Sequence, residues 1–220
     1  VQEYLFHGYC SSNTCIASNY HKLSPSSFLK FQDNIVTTGD FESFKDKKRF
    51  QDFDFSESNI DLLIKESVSQ QISHEVPMGI MLSGGIDSSL LANYLASYEG
   101  RPEKIKSYSI KYLDKVKSRD SFYAEDLARN LNLEHKTIKI DSAESMNFLE
   151  KALKNLDEPI ADSGIIGTDI ICKTANQDGV KVLISGTGAD ELFAGYYRHF
   201  NPKYFTSQFF SESPILIRKP

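Results

Sequence analysis

The sequence predicts an α/β fold in which a doubly wound parallel sheet carries helices on both faces, and three observations lead to this prediction. Short apolar runs suited to buried strands alternate along the chain with amphipathic helical patterns. Two of these runs, 78–82 and 180–184, are each followed by a glycine-rich turn and the start of a helical pattern. In such a fold, ligands bind outside the carboxyl ends of the strands, where both turns are expected to lie.

The composition excludes several classes of protein. With 220 residues, of which 40% are hydrophobic and 25% charged, the chain is long enough for one substantial core. No apolar run approaches the ~20 residues of a membrane span, and the N-terminus lacks the basic-then-apolar order of a signal peptide, so a cytoplasmic location without a membrane partner is expected. The net charge of −5 argues against a nucleic-acid partner. The three cysteines, Cys10, Cys15 and Cys172, are too scattered to predict disulfides or a zinc site.

Residues 1–34 do not have the pattern of a domain start. They open with an aromatic stub and a polar loop, and the segment SPSSFLKF that follows contains Pro25, which limits it to an edge strand. The stretch 35–55 holds the cluster KDKKR at 45–49, which neighbouring acids nearly balance, so a solvated loop is expected there. The whole stretch is therefore predicted to be the tail of a structure that precedes it.

Helices and strands are predicted to alternate from residue 56 onward. Ser56 is a candidate N-cap for a helix whose pattern Pro77 stops. The segments that follow are strand 78–82, a helix after the first glycine turn, strand 104–112, helix 120–132, strand 135–140, a helix capped by Asp141 and broken at 157–159, a helix over 165–175, and strand 180–184. The carboxyl end of strand 104–112 is expected to form a wall for an adenine ring.

The first glycine turn, SGGIDSS at 83–89, is suited to binding an anion. Gly84 and Gly85 let the backbone turn sharply into a helix, so that main-chain N–H groups gather at its N-terminus. The hydroxyl donors added there are Ser83, Ser88 and Ser89. Together these groups predict a pyrophosphate site, although no lysine follows the glycines as it would in a Walker-type loop.

Two carboxylates in the glycine turns predict a metal ion. A carboxylate next to a phosphate is repulsive unless a divalent cation lies between them, so Asp87 predicts Mg²⁺ held jointly with phosphates. The second turn, 185–193, repeats the arrangement of the first and supplies Asp190 as a partner ligand. The alternatives are an ordinary serine-rich turn at 83–89 and, for Asp190, a carboxylate that only complements a helix dipole.

Four motifs carry a resemblance to a known family. SGGIDSS resembles the PP-loop of the ATP pyrophosphatases, and SGTGADELFAGYYRH resembles the SGEGADELFGGY segment of the asparagine synthases. Together with DSFYAEDLARNL and LDEPIADS, these motifs are similar in order and spacing to the synthetase domain of that family over residues 56–200. YLFHGY and KLSPSSFLKF are similar to the bridge that leaves its N-terminal glutaminase domain. The resemblance thus makes 1–55 a bridge, 56–200 an ATP-binding synthetase domain and 201–220 the start of a C-terminal region.

The resemblance implies a fold, a reaction and a set of site residues. The fold would be Rossmann-like, of the adenine nucleotide α-hydrolase type. An aspartate side chain would be adenylated by ATP to β-aspartyl-AMP, and ammonia, from glutamine in the full-length family, would then give asparagine. The positions that would bind ATP and pyrophosphate are Leu82, Ser83, Gly84, Gly85, Asp87, Ser88 and Ser89, while Ile110, Ser185 and Gly186 would contact the adenosine moiety. Asp87 and Asp190 would hold Mg²⁺ and serve catalysis, and a homodimer is one option for the assembly.

The chain departs from the family pattern at several positions. Thr187 stands where the family has a glutamate, and a threonine cannot act as a carboxylate base. Ala194 replaces a usual glycine, and the chain opens with Val1 without the N-terminal catalytic cysteine of the glutaminase domain. The family's C-terminal helices, which include a catalytic lysine, would lie beyond residue 220. The departures leave three alternatives open: a relative that acts on a different carboxylic acid, a truncated nucleotide-binding pseudoenzyme, or another PP-loop enzyme such as an NAD or GMP synthetase. Glu158 and Asp162 are expected to shape the chain and not to contact substrate.

Overall fold

The computed structural model describes residues 1–11, 14–41, 56–72, 75–99, 105–114 and 119–196. The charged cluster predicted as a loop at 45–49 and the segment 201–220 lie outside the described residues. Within the described part, no helix combines the length and the apolar character that crossing a membrane requires.

A short helix and a hairpin precede the main sheet. Helix α1 spans Gln2–His7, and strands β1 (Ser27–Gln32) and β2 (Ile35–Asp40) pair antiparallel through a two-residue turn. Both turn residues, Asp33 and Asn34, have positive φ, as the tight turns of hairpins require. SPSSFLKF therefore contributes an edge strand as predicted, whereas β2 was not predicted from the sequence. The side chains of β2 are mostly exposed, so no alternation of apolar and polar residues marked it.

The main sheet consists of four parallel strands. These are β3 (Met78–Met81), β4 (Lys106–Tyr112), β5 (Glu134–Ile140) and β6 (Val182–Ile184), arranged in the order β5-β4-β3-β6. The chain thus steps outward from β3 to β5 and then returns to the other side of β3 with β6. The reversal leaves a crevice between β3 and β6 at the carboxyl ends of the strands, which is the usual ligand position in open α/β sheets.

Helices cover both faces of this sheet and confirm the doubly wound α/β class. The helices are α2 (Glu57–Gln71), α3 (Ile86–Glu99), α4 (Asp120–Asn130), α5 (Ser142–Leu153), α6 (Gly164–Gln177) and α7 (Ala189–Phe193). On one face, buried side chains of α2, α3 and α4 pack against Ile80 and Leu82. On the other, Ile171 and Ala175 of α6 pack against Tyr108. Alternation along the strands divides the core between the two faces.

The element boundaries agree with the sequence pattern except at some ends. Helix α2 stops at Gln71, well before Pro77, and its N-cap Ser56 makes no side-chain capping bond. The cap predicted at Asp141 is present as a capping box, in which Asp141 accepts from the amide of Glu144 and the Glu144 carboxylate accepts from the amide of Asp141. Strand β6 is shorter than the apolar run 180–184 that predicted it.

Candidate functional site

A cavity of about 470 Å³ lies at the carboxyl ends of the parallel strands. Both glycine turns, the end of β4, the first turn of α4 and one side of α6 line it. Of the residues expected at the site, the cavity lining includes Leu82, Ser83, Gly85, Asp87, Ser88, Ile110, Ser185, Gly186 and Asp190. Gly84 and Ser89 are not part of this lining, and their surroundings give each a structural role.

Gly84 lets the first turn pack against the following layer. Its φ of 83° lies in the left-handed region, and a Cβ at this position would overlap the main-chain carbonyl of Asp120 at the start of α4. The turn leads directly into α3, whose first amides have no partner within the helix. The close approach at Gly84 therefore brings the start of α3 and the start of α4 to the same cavity.

The serines of the first turn hold its shape. The Ser88 hydroxyl is buried, accepts a hydrogen bond from the amide of Ser83 at 3.2 Å, and lies 2.9 Å from the Ser83 hydroxyl. The hydroxyls of Ser88 and Ser89 both donate to the carbonyl of Gly85, at 3.2 and 2.7 Å. The hydroxyls of Ser88 and Ser89, expected from the sequence as ligand donors, are thus used within the turn.

The second turn touches the first. A Cβ added to Gly186 would come within 3.1 Å of both the Asp87 Cβ and the Ser88 amide nitrogen, so only a glycine allows this approach without a shift of its neighbours. Gly188, the N-cap of α7, has a φ of 101°, which an L side chain rarely adopts. Asp87 and Asp190 consequently face one cavity, although they stand far apart in the sequence.

Asp87 and Asp190 fit a magnesium ion that is shared with phosphate oxygens. Mg²⁺ is usually held by one or two carboxylates together with substrate phosphates, because it keeps much of its own hydration. In the described residues, no cluster of three or more metal-binding side chains occurs, so a site made only of protein ligands has no support there. The pair of carboxylates is the kind of donor set that binds the ion only together with a phosphate ligand.

The backbone behind Asp190 is strained. The Asp190 carboxylate lies directly over Gly195, where a Cβ would overlap it. The preceding residue, Ala194, has φ 61° and ψ 156°, a region that is essentially restricted to glycine. The alanine noted in the sequence as a departure from the family pattern therefore occupies a position where the backbone favours glycine.

One wall of the cavity is apolar. A Cβ added at Gly167 would lie 3.0 Å from the Cδ1 atom of Ile110 on β4 and 3.5 Å from the Tyr112 hydroxyl. The small residue on α6 thus lets the helix approach the strand closely, and Ile171 continues the wall. The wall is placed where the sequence predicted the adenine contact.

A polar network supports the opposite side of β4. His135 on β5 bonds through its two ring nitrogens to Ser107, at 2.8 Å, and to Ser109, at 3.0 Å. Thr137 donates to the Glu125 carboxylate of α4 at 2.8 Å, which links the network to that helix. Burial lowers the pKa of His135 below its ordinary value, so the ring is favoured in its neutral form.

The structure adds residues that the sequence reasoning missed. Lys111, Asp120, Ser121, Gly167 and Glu191 all line the cavity. Lys111 stands at the carboxyl end of β4, and Asp120 and Ser121 form the first turn of α4. The same rule that located the glycine turns, ligands at the carboxyl ends of the strands, could have indicated these three positions.

Thr187, Glu158 and Asp162 each make a defined polar contact. The Ser185 hydroxyl donates to that of Thr187 at 3.0 Å, so Thr187 offers a hydroxyl at the edge of the cavity. Glu158 forms an ion pair with Lys22 at 2.6 Å, and hydrogen bonds from Lys22 and then Cys15 lower the pKa of its carboxyl group. Asp162 accepts the amide of Gly164 at 2.8 Å at the start of α6. Glu158 and Asp162 are outside the cavity lining, so these contacts give both a structural role.

Comparison with known proteins places the chain among the asparagine synthases. The family model described as asparagine synthase matches residues 59–219. The chain is 38% identical over 144 residues to a putative glutamine-hydrolyzing asparagine synthetase 1 of Methanocaldococcus jannaschii, covering 64% of this chain and 25% of that protein. It is 30% identical over 211 residues to asparagine synthetase 1 of Bacillus subtilis, covering 92% of this chain and 31% of the relative. It is also 28% identical over 142 residues to the amidase chyE of Penicillium rubens, covering 60% and 21%. The chain thus spans a third or less of the length of these relatives.

Proposed function

Because the chain belongs to the asparagine synthase family, we propose that it carries the ATP-binding half of an amide-forming ligase that adenylates the side-chain carboxylate of aspartate. The observation that carries this proposal is the meeting of two glycine turns at one cavity, with Asp87 and Asp190 facing it. A triphosphate with its metal ion requires such a combination of exposed amides and carboxylates.

The first turn binds the phosphates. The amides of SGGIDSS and the N-terminus of α3 offer partial positive charge to the pyrophosphate, and the internal hydrogen bonds of Ser88 keep these amides in place before the ligand arrives. Asp87 and Asp190 would hold Mg²⁺, which would supply positive charge to offset the charge of the departing pyrophosphate. Because the turn is held in shape, little reorganisation accompanies the reaction.

The adenosine moiety lies between the second turn and the apolar wall. Ile110, Ser185 and Gly186 contact it, and the close packing at Gly167 brings α6 next to Ile110. An oxygen of the acceptor carboxylate then attacks the α-phosphorus, and the bond to pyrophosphate breaks. Ammonia next attacks the acyl carbon, AMP leaves, and a proton is released as the amide forms.

A second candidate function is the same chemistry on a different carboxylic acid, and Thr187 favours it. A threonine hydroxyl at the edge of the cavity can hydrogen-bond to a substrate but cannot act as a carboxylate base. One relative of comparable coverage is named an amidase, and not an asparagine synthetase. The acceptor acid is therefore the point at which the two candidates differ.

The remaining assignments of the proposal concern the whole protein. Residues 1–55 serve as the bridge from a glutaminase domain that supplies ammonia from glutamine, 56–200 as the synthetase domain, and 201–220 as the start of the C-terminal region. Contacts between the amide of Ala161 and the carbonyl of Gly8, at 2.8 Å, and between Lys22 and Glu158 support a fixed position for the bridge. The proposal places the reaction in the cytoplasm and keeps a homodimer as one option for the assembly.

An assay with a panel of acids tests the proposal. The protein is incubated with ATP, Mg²⁺, ammonia and one of several carboxylic acids, and AMP and pyrophosphate are measured. AMP formation that depends on aspartate supports the first candidate, and AMP formation with another acid alone supports the second. Binding of ATP without AMP formation from any acid would contradict both and leave a nucleotide-binding pseudoenzyme.

A further inference from the structure

The charges that line the cavity are unbalanced. The described lining contains four carboxylates, of Asp87, Asp120, Asp190 and Glu191, and a single cationic side chain, Lys111. A triphosphate brings further negative charge, and a divalent ion between Asp87 and Asp190 offsets only part of the total. In this described lining, Lys111 is the side chain whose positive charge can offset the remaining negative charge.

Lys111 lies on an extension of β4 that runs alongside the first glycine turn. In the register of the sheet, Met81 at the end of β3 pairs with Tyr108, so residues 109–112 extend beyond β3. The amide of Leu82 donates to the carbonyl of Tyr108 at 2.8 Å, and the chain then leaves the sheet as the turn. Lys111 and Ser83 therefore line the same cavity from adjacent segments.

Neighbouring residues of β4 serve opposite faces of the sheet. Ile110 packs against α6, next to Gly167. Lys111 shares its face with Ser109, whose hydroxyl bonds to His135 on the side of α4. The first turn of α4 is also where the phosphate-binding turn packs, at Gly84. Ile110 is thus on the side of the base, and Lys111 on the side of the phosphates.

A second lysine stands opposite the first. Lys111 pairs with Lys139 in the register of β4 and β5, so the two ammonium groups extend from adjacent strands on one face. Among the described residues, no ion pair joins either lysine to a carboxylate. Lys111 lines the cavity and can contact a bound ligand there, whereas Lys139 lies outside the cavity lining.

We propose that Lys111 binds the β- and γ-phosphates of ATP, the part that leaves as pyrophosphate. The strand β4 thereby supplies the cation that a Walker-type loop carries directly after its glycines and that SGGIDSS does not contain. This inference rests on the proposed function, since that function makes ATP the ligand of the cavity. The contact stabilises the negative charge that accumulates on pyrophosphate as its bond to the α-phosphorus breaks.

Calorimetry with inorganic pyrophosphate and Mg²⁺ tests the proposal directly. Lys111→Met removes the charge and keeps most of the side-chain length, whereas Lys111→Arg keeps the charge. The matched control is Lys139→Met, because Lys139 occupies the paired position outside the cavity lining. We expect Lys111→Met to weaken pyrophosphate binding about tenfold, Lys111→Arg to retain most of the affinity, and Lys139→Met to stay within about twofold of the unchanged protein. Adenosine binding should be the same in all of them.

Three results would overturn the proposal. These are unchanged pyrophosphate affinity in Lys111→Met, an equal loss of adenosine affinity, and a lack of pyrophosphate binding by the unchanged protein. In the first of these cases, a raised KM for the acceptor acid would move Lys111 to the acceptor site. The proposed function fails separately, if no acid yields AMP, and the dependence of pyrophosphate binding on Lys111 can be measured in that case as well.

Discussion

Asp87 occupies the first turn of α3 and faces the cavity next to the phosphate-binding turn. Asp87→Asn keeps the size of the side chain and removes the charge that would hold Mg²⁺. We expect the barrier to adenylation to rise by about 2 to 4 kcal/mol, as it does when a charged partner is lost at a phosphoryl-type transition state. Pyrophosphate release with the preferred acid measures the effect. An unchanged rate would remove Asp87 from the mechanism.

Ala194 is strained at a position that suits glycine. Its φ of 61° and ψ of 156° cost an L residue on the order of 1 to 3 kcal/mol. A glycine would remove this strain, but the larger entropy of the unfolded chain would cancel part of the gain in stability. We expect Ala194→Gly to raise the free energy of unfolding by about 1 kcal/mol in urea denaturation.

An exposed alanine in a helix is the control for Ala194. Ala143 lies in α5, where glycine is a poorer helix former, so Ala143→Gly should lower the free energy of unfolding by up to about 1 kcal/mol. Opposite signs for the two substitutions are the expected result. A loss of stability in Ala194→Gly would show that the backbone at 194 is not strained.

At the scale of elements, the packing of α4 against the first turn depends on a missing Cβ. Gly84 and Gly179 have the same φ of 83°, but a Cβ at Gly84 would overlap the Asp120 carbonyl, whereas Gly179 has open space around it. Gly179→Ala should cost about 1 kcal/mol from backbone conformation alone. Gly84→Ala adds a backbone clash and should cost roughly 2 to 4 kcal/mol.

Thermal and urea unfolding of the two glycine variants separate conformation from packing. Equal losses at Gly84 and Gly179 would show that the α4 contact contributes nothing to stability. A larger loss at Gly84, accompanied by weaker pyrophosphate binding, would tie the packing of α4 to the geometry of the turn.

The strands of the main sheet and the helices around it could be predicted because each had a clear apolar run or a helical spacing of apolar residues. The apolar run before Gly84 and the helical spacing over 165–175 were sufficient to place β3 and α6. Strand β2 was missed because a hairpin with two exposed faces has no apolar alternation, and the Asp33-Asn34 turn was its only local signal. The strand order could not be read from any segment, since it depends on which faces the helices cover.

The position of both glycine turns at the carboxyl ends of the strands was predicted from the sequence, and the roles of their residues stay predictions. Asp87 and Asp190 were assigned because an acid in a phosphate-binding turn is chemically unusual. Lys111 was not, because a lysine at a strand end normally indicates a solvent-facing side chain, although the rule that ligands bind at the carboxyl ends of the strands could have indicated it. The roles of Ser88 and Ser89 likewise depend on hydroxyl directions that a sequence does not contain.

For the whole molecule, His135 predicts how stability depends on pH. Its folded-state pKa is lowered by burial, so as pH falls through about 6.5 the unfolded chain takes up a proton that the folded protein does not. The contribution of the neutral ring is therefore fully present above that pH and is lost below it, as pH approaches the folded pKa.

Urea denaturation between pH 7.5 and 5.5 measures this dependence. The free energy of unfolding should decrease over this range in the unchanged protein and decrease less in His135→Gln. The carboxyl groups with lowered pKa values, such as that of Glu158, titrate below this window and do not contribute to it. Identical slopes for the two proteins would show that His135 is not the group responsible.

The strand order also sets the sequence of events as the chain folds. Strand β3 and its glycine turn are synthesised before β6, the neighbour that completes the crevice, and residues 82–181 lie between them. A nascent chain that has not yet reached residue 182 contains SGGIDSS and has no second turn to oppose it. The capacity to hold a nucleotide thus arises in one late step, when the most distant pairing of the sheet forms, and pairings of this kind are the slow ones in folding.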